Sequence, residues 1–150
     1  MFLGTYHPKL DEKGRFFLPA KFRDELAGGV VITRSQERSL AIYPAAVFEA
    51  MVRSMNPAPA TLKQVRDFQR MLAAGASDEI PDRQGRVSIP PALRDYAGLD
   101  KDIVVIGSID RLEVWDAAAW ESYSAAQEAV FAELDSAVLG ADGQTDSADR

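Results

Sequence analysis

Asp11-Glu12-Lys13-Gly14-Arg15 stands near the start of the chain, and Asp82-Arg83-Gln84-Gly85-Arg86 answers it in the second half. The surroundings return with it. The first copy continues Phe16-Phe17-Leu18-Pro19-Ala20-Lys21-Phe22-Arg23-Asp24, and the second Val87-Ser88-Ile89-Pro90-Pro91-Ala92-Leu93-Arg94-Asp95. At one fixed offset Asp, Gly, Arg, Pro, Arg and Asp recur identically, while Phe/Val, Leu/Ile and Phe/Leu recur in kind. Agreement at so many spaced positions marks one supersecondary unit present twice.

Spacing says what the unit is. A polar Asp-x-x-Gly-Arg tip followed by alternating apolar residues predicts a tight turn entering a strand. Gly14 and Gly85 fall where a short turn needs positive φ, which a residue without Cβ adopts freely. Pro19 and Pro90 cannot donate to a ladder, so each strand stops there. Each proline suits the start of a helix, where the N–H has no partner in any case. A short helix follows, with Phe22 and Leu26, or Leu93 and Ala97, turned inward. Gly28-Gly29 and Gly98 end these helices.

Working outward, Phe2-Leu3-Gly4-Thr5-Tyr6 predicts a strand leading into the first tip. Val30-Val31-Ile32 and Leu40-Ala41-Ile42-Tyr43 predict a hairpin, matched by Ile103–Ile106 and Leu112–Trp115. Pro44 and Asp116 each suit a helix start, with Phe48 and Trp120 at equivalent depth. The duplication therefore covers 5–48 and 77–120. Residues 49–76 form a helical linker, in which Asn56-Pro57-Ala58-Pro59 breaks the Ala45–Met55 helix. Thr61-x-x-Gln64 has the form of a capping box. The helix after it is expected to bury Leu62, Val65, Phe68 and Leu72 and to expose Lys63, Arg66 and Arg70. A C-terminal helix begins at Ala117, occupies 121–139 and carries Trp120, Tyr123, Val130, Phe131 and Leu134. The acidic stretch 140–150 is small and polar, and disorder is expected there.

Composition bounds the function. A chain of 150 residues with 47% hydrophobic content can bury a sizeable core. No cysteine is present, which fits a reducing compartment. No apolar run approaches the roughly 20 residues of a membrane span, and Met1-Phe2-Leu3-Gly4 lacks the features of a signal peptide. The net charge of -6 by itself argues against a nucleic-acid partner, but the charge is unevenly placed. From Leu112 onward nine acidic residues face one basic, whereas residues 1–111 hold 16 basic and 14 acidic. The acidity lies largely outside the repeats.

Catalytic chemistry is hard to assemble. His7 is the single histidine, and it stands beside Pro8 with no Ser or Cys nucleophile near it in sequence. No phosphate-binding glycine loop, zinc spacing or His-x-x-x-His pair occurs. Neither catalytic residues, a cofactor nor a metal is therefore expected, and no small-molecule substrate. The tips are richer. Lys9, Lys13 and Arg15 crowd the first, Arg83 and Arg86 the second, and Arg23 and Arg94 lie one helix away. One possibility is that Asp11 and Asp82 brace Arg15 and Arg86 within their own turns and nothing more. The other is that a braced arginine is oriented to bond guanine O6 and N7 from a two-stranded ribbon in the DNA major groove. Lys9 and Lys13 would then hold phosphates.

The doubled Asp-x-x-x-Arg, each followed by strand, proline and helix, resembles the MraZ family. So do the opening Met-Phe-Leu-Gly and the run Arg94-Asp95-Tyr96-Ala97-Gly98-Leu99. The resemblance spans roughly residues 1–135. It implies an α+β protein of two tandem SpoVT/AbrB-like swapped-hairpin units forming an intrachain pseudo-dimer with flanking amphipathic helices. It also implies a cytoplasmic, nucleoid-associated transcriptional regulator. Such a protein binds repeated double-stranded DNA elements upstream of the division and cell-wall gene cluster as a ring-shaped homo-oligomer. The motif falls on Asp11 and Arg15 and again on Asp82 and Arg86, with turn glycines Gly14 and Gly85. Lys13 matches the basic residue that precedes the first glycine; Gln84 departs from it. The rival is an oligomeric protein-binding scaffold or antitoxin-like module whose tips are only braces. Phe48, Met51, Met55, Phe68, Trp120 and Phe131 either cover the β core of their own chain or need a partner surface, which an oligomer would supply.

Overall fold

Val30-Val31-Ile32 and Ile103-Val104-Val105 are β-branched runs with no polar alternation, the pattern of strands covered on both faces. They are buried throughout in the computed structural model, which describes residues 1–55 and 62–135. They form β3 (Val30–Arg34) and β7 (Ile103–Gly107), each in a hairpin with the next strand, β4 (Leu40–Pro44) and β8 (Leu112–Asp116). Two short strands, β1 (Thr5–Tyr6) and β5 (Ser77–Glu79), complete a six-stranded sheet in the order β1-β7-β8-β4-β3-β5. The two tip strands, β2 (Arg15–Phe17) and β6 (Arg86–Ser88), pair only with each other as a separate ribbon.

The halves are exchanged. β1 of the first half pairs with β7 of the second, and β5 of the second pairs with β3 of the first. At the middle of the sheet β4 meets β8 through Leu40↔Val114, Ala41↔Glu113 and Ile42↔Leu112, a register that maps onto itself about Ala41 and Glu113. The ribbon does the same about Phe16↔Val87, with Arg15↔Ser88 and Phe17↔Arg86 on either side. Both sheets thus obey one pseudo-two-fold relation. The chain is α+β, a pseudo-dimer of two tandem hairpin units, as its resemblance implies.

Between sheet and ribbon lies the core. Phe16, Leu18, Val87 and Ile89 point into it from the ribbon. Phe22 and Leu26 enter from a 3-10 turn (Ala20–Phe22) and the following α1 (Arg23–Leu26); Leu93 and Ala97 enter from α4 (Pro91–Ala97). Pro19 and Pro90 are the N-caps, and Pro91 takes the first helical position, where a missing N–H costs nothing. Gly98 ends its helix at φ 60°, with the Leu99 N–H returning to the Arg94 carbonyl at 2.9 Å. The opening strand is shorter than the expected 2–6. Gly4 at φ 102° interrupts it, and Phe2 instead forms an isolated bridge with Ile109. Its ring packs edge-on against Phe22, 5.0 Å between centroids.

The helices outside the duplicated core are α2 (Ala45–Met55), α3 (Lys63–Ala74) and α5 (Ala117–Ala132). The expected Asn56–Pro59 break and the Thr61 half of the capping box lie outside the described residues. Leu62 occupies the N-cap of α3 and makes no side-chain cap bond. The apolar stripe of α3 is not buried as expected: Leu62 is 55% and Phe68 45% exposed. What ties α3 to the sheet is its C-terminal end, where the buried Thr33 hydroxyl donates to the Leu72 carbonyl at 2.8 Å. The described residues from Ala118 onward belong to a second unit, the first being Met1–Ala117. Helix α5 ends at Ala132 and 133–135 are not helical, while the expected continuation over 136–139 lies outside the described residues. Glu133 and Asp135 follow with no basic residue in the last turn, and acidic side chains oppose the negative end of a helix dipole. Phe131 there is 79% exposed. The acidic stretch 140–150 lies outside the described residues. No described helix is long and apolar enough to cross a membrane.

Because every sheet contact that closes one half uses the other, unit Met1–Ala117 should unfold as a whole. Leu18 and Ile89 are pseudo-equivalent and both 1% exposed. Leu18→Ala and Ile89→Ala should each cost about 2–5 kcal/mol. In urea titrations followed by near-UV circular dichroism, both should shift one and the same transition. Two separable transitions, each sensitive to one substitution, would show independent halves.

Candidate nucleic-acid interface

Each tip is built by an aspartate that turns back on the chain after it. Asp11 Oδ1 accepts from the amides of Lys13 and Arg15, both at 2.9 Å, and Oδ2 accepts from Arg15 Nε at 2.8 Å. The second tip repeats this: Asp82 Oδ1 accepts from Gln84 and Arg86 amides at 2.9 Å, and Oδ2 from Arg86 Nε at 2.8 Å. Backbone bonds close the loop, Asp11 N–H to the Arg15 carbonyl at 2.8 Å and Asp82 N–H to the Arg86 carbonyl at 2.9 Å. Gly14 at φ 79° and Gly85 at φ 81° make the reversal possible. The brace expected between Asp and Arg is therefore present in both copies.

Sequence reasoning missed what completes each tip. A Cβ on Gly14 would lie 2.7 Å from Arg94 Nε, and one on Gly85 would lie 2.6 Å from Arg23 Nε. Arg94 donates to the Ile89 carbonyl at 3.0 Å and Arg23 to the Leu18 carbonyl at 3.1 Å. Each turn glycine thus makes room for an arginine of the opposite half. The recurrence of Arg23 and Arg94 was visible in the sequence, but nothing in it revealed that they cross over.

The ribbon sets which way the tips face. Phe16 and Val87 are buried, so the alternate positions, Arg15 and Phe17 on one strand and Arg86 and Ser88 on the other, share the outward face. Both arginines use Nε on the brace, and their side chains remain 31% and 23% exposed. Lys13 and Arg83 are exposed at the loops. Lys9 is exposed too, but forms an ion pair with Asp102 across an isolated bridge. Its hydrogen bond and charge hold the Asp102 carboxyl below its ordinary value. An exposed pair of this kind is worth little in water, so Lys9 can exchange Asp102 for another anion at small cost. His7 is exposed and takes no part, and no cluster of metal-ligating side chains occurs among the described residues.

Both tip carboxyls are held below the ordinary aspartate value. For Asp11 the chief cause is the hydrogen bond from the Arg15 amide, opposed by partial shielding from water and helped by the Arg15 side chain and the Lys13 amide. Asp82 has the same causes in the same order from Arg86 and Gln84.

Two tandem segments of the chain, residues 1–71 and 72–141, match a family described as "MraZ protein, putative antitoxin-like". A protein of Cutibacterium acnes named transcriptional regulator MraZ is 66% identical over 134 residues, covering 89% of this chain and 94% of the relative. One of Thermobifida fusca with the same name is 60% identical over 139 residues, covering 93% and 97%. One of Leifsonia xyli, again so named, is 56% identical over 139 residues, covering 93% and 97%.

Since the folded carboxyls lie below the unfolded value, the brace is complete above the ordinary aspartate range and is lost as pH falls through the folded values. The Arg15 and Arg86 Nε–H resonances in ¹⁵N NMR should therefore stay fixed from neutrality down to about pH 4 and move only below it. Asp82→Asn should shift the Arg86 resonance at neutral pH and leave that of Arg15 in place. Movement of both in native protein near neutrality would mean the braces do not hold in solution.

Proposed function

We propose that this chain, which belongs to the MraZ family, regulates transcription by binding double-stranded DNA sequence-specifically through the face that carries both tips. The observation that carries this is the doubled, aspartate-braced arginine on one outward face of a two-stranded ribbon. A ribbon of this width fits the major groove, and an arginine anchored through Nε keeps its terminal nitrogens for a bidentate bond to guanine. Arg15 and Arg86 are assigned to base edges. Lys13, Lys9 and Arg83 are assigned to phosphates, which fix register without carrying sequence information. Asp11 and Asp82 act by holding the arginines, and Gly14 and Gly85 by shaping the turns. No step calls for a cofactor, and the protein is read as a regulator and not an enzyme, working in the cytoplasm at the nucleoid.

One ribbon reaches few base pairs. Tight binding then calls for several copies on repeated elements, which raises effective concentration and gains ~10²–10⁴-fold over a single contact. The half-exposed apolar residues of α3 support self-association: Phe68 and Met71 are 45% and 52% exposed on a helix that the core leaves partly uncovered. A head-to-tail contact between copies closes into a ring when its rotation permits. The proposed targets are repeats upstream of the division and cell-wall gene cluster, and footprinting on the DNA upstream of the protein's own gene is the direct test. The scaffold or antitoxin-like role, with tips as braces only, is the outcome if no protected DNA exists.

On the protected sequence Arg15→Ala should cost roughly 1–3 kcal/mol and change affinity for random DNA far less. Lys13→Ala should weaken both alike and lower the salt slope by ~0.9 per lost phosphate contact. Asp11→Asn separates a loosened turn from lost readout, with melting temperature checked in each variant. Equal operator affinity for native protein and folded Arg15→Ala would leave Arg15 a brace alone. Phe68→Glu should keep the fold, reduce the assembly in sedimentation analysis and lose affinity for a multi-repeat duplex. If it reduces the assembly yet binds that duplex as tightly as before, assembly contributes nothing to affinity.

A further inference from the structure

The outward face of the ribbon departs from the pseudo-two-fold relation at one exposed position. Phe17 occupies the place that Ser88 holds in the other half, and it is 50% exposed. The fold does not call for it: the inward pair Phe16 and Val87 already seals the ribbon to the core. Arg86, its cross-strand partner, has its guanidinium carbon 5.8 Å from the Phe17 ring centroid, and Arg23 stands 6.0 Å from the same centroid. Two cations at this range hold the ring in place while half of it stays in solvent. On the other side Arg15 faces Ser88 and has no such ring.

We infer that Phe17 is a specificity-determining residue, whose ring makes apolar contact with a thymine C5-methyl in the base pair beside the one addressed by Arg86. This rests on the DNA-binding reading above and extends it. The methyl group is the one apolar feature of the major-groove edge, and it belongs to thymine alone. Side chains facing each other across an antiparallel pair lie about 5 Å apart at Cβ, and successive base pairs are about 3.4 Å apart, so ring and guanidinium reach neighbouring steps. Arg86 is pinned twice, by Asp82 at Nε and by the Phe17 ring. The second tip is thereby a reader in its own right, and the two tips read different base pairs.

Replacing thymine by uracil removes only the methyl group and so tests this directly. Duplexes carrying the sequence protected in footprinting are synthesised with uracil at one thymine at a time, and their affinity for the full-length protein is measured. Native protein should lose about fourfold at one position next to the guanine whose contact Arg86→Ala abolishes, the equivalent of one buried methyl. Phe17→Ser should be indifferent to uracil there, and Phe17→Leu, still apolar, should keep most of the sensitivity. Ser88→Phe should create a second sensitive position beside the base addressed by Arg15. Indifference of native protein at every thymine overturns the inference and needs no variant that might misfold. So does undiminished sensitivity in Phe17→Ser. In either case a loss of operator binding in Arg15→Ala would leave the DNA-binding reading standing, whereas failure to protect any DNA would remove both.

Discussion

Each turn is locked by a ring of contacts that crosses from one half of the chain to the other. The Ile89 amide donates to the Gly14 carbonyl at 2.8 Å, the Ile89 carbonyl accepts from Arg94, and Arg94 lies where a Gly14 side chain would be. The mirror set runs through Leu18, Gly85 and Arg23, with the Leu18 amide donating to the Gly85 carbonyl at 2.9 Å. Strand end, helix start and turn therefore fix one another in both directions. A side chain on either glycine would meet backbone strain at positive φ and an occupied space at once. The aspartate brace then needs to organise only the few residues of the loop itself, because the loop's platform belongs to the whole fold.

That lock explains why tips rich in long charged side chains can be well defined. A free arginine gives up a good deal of rotamer entropy when it docks. Here Nε of Arg15 and of Arg86 is bonded already, and the aspartate that holds it is itself saturated by two backbone amides. A hydrogen bond in which both partners are charged is the stronger kind, and on each tip the one from Nε to Oδ2 anchors the guanidinium. The overall charge of -6 has little bearing on this face, since charges more than about 8–10 Å away are largely screened at physiological salt.

Local structure was legible wherever a residue's own chemistry decides it. Gly14 and Gly85 take positive φ, Pro19 and Pro90 stand at helix starts, and Phe22, Leu26, Leu93 and Ala97 turn inward, all as their spacing predicts. The brace was legible as one of two possibilities, because Asp-x-x-x-Arg fits a turn whether or not the arginine also reads a base. Partner choice was not legible from patterning. β1 matches the β3 of its own half and the β7 of the other about equally well, so the exchange was implied only by the family resemblance. β5 gave no signal, since Ser77-Asp78-Glu79 is polar and its pairing with β3 is decided by topology. The stripe on α3 was read correctly as apolar and wrongly as buried. Periodicity shows that a face seeks cover, and it does not say whether the same chain supplies it.

Duplication within one chain frees the two tips from each other in a way a symmetric dimer forbids. In a true homodimer every substitution appears on both sides of the axis. Here the positions that build the lock are the same in both halves: Asp11 and Asp82, Gly14 and Gly85, Arg15 and Arg86, Arg23 and Arg94. Exposed positions outside the lock differ: Glu12 against Arg83, Lys13 against Gln84, Phe17 against Ser88. Geometry is therefore held common while surface chemistry is allowed to diverge. A palindromic site suits two equal readers. Two unequal readers at fixed separation suit a site with direction, and copies joined head to tail present that direction again at each step. On the proposed function, direct repeats are then the arrangement of DNA that matches a chain whose halves share a frame and differ at the surface.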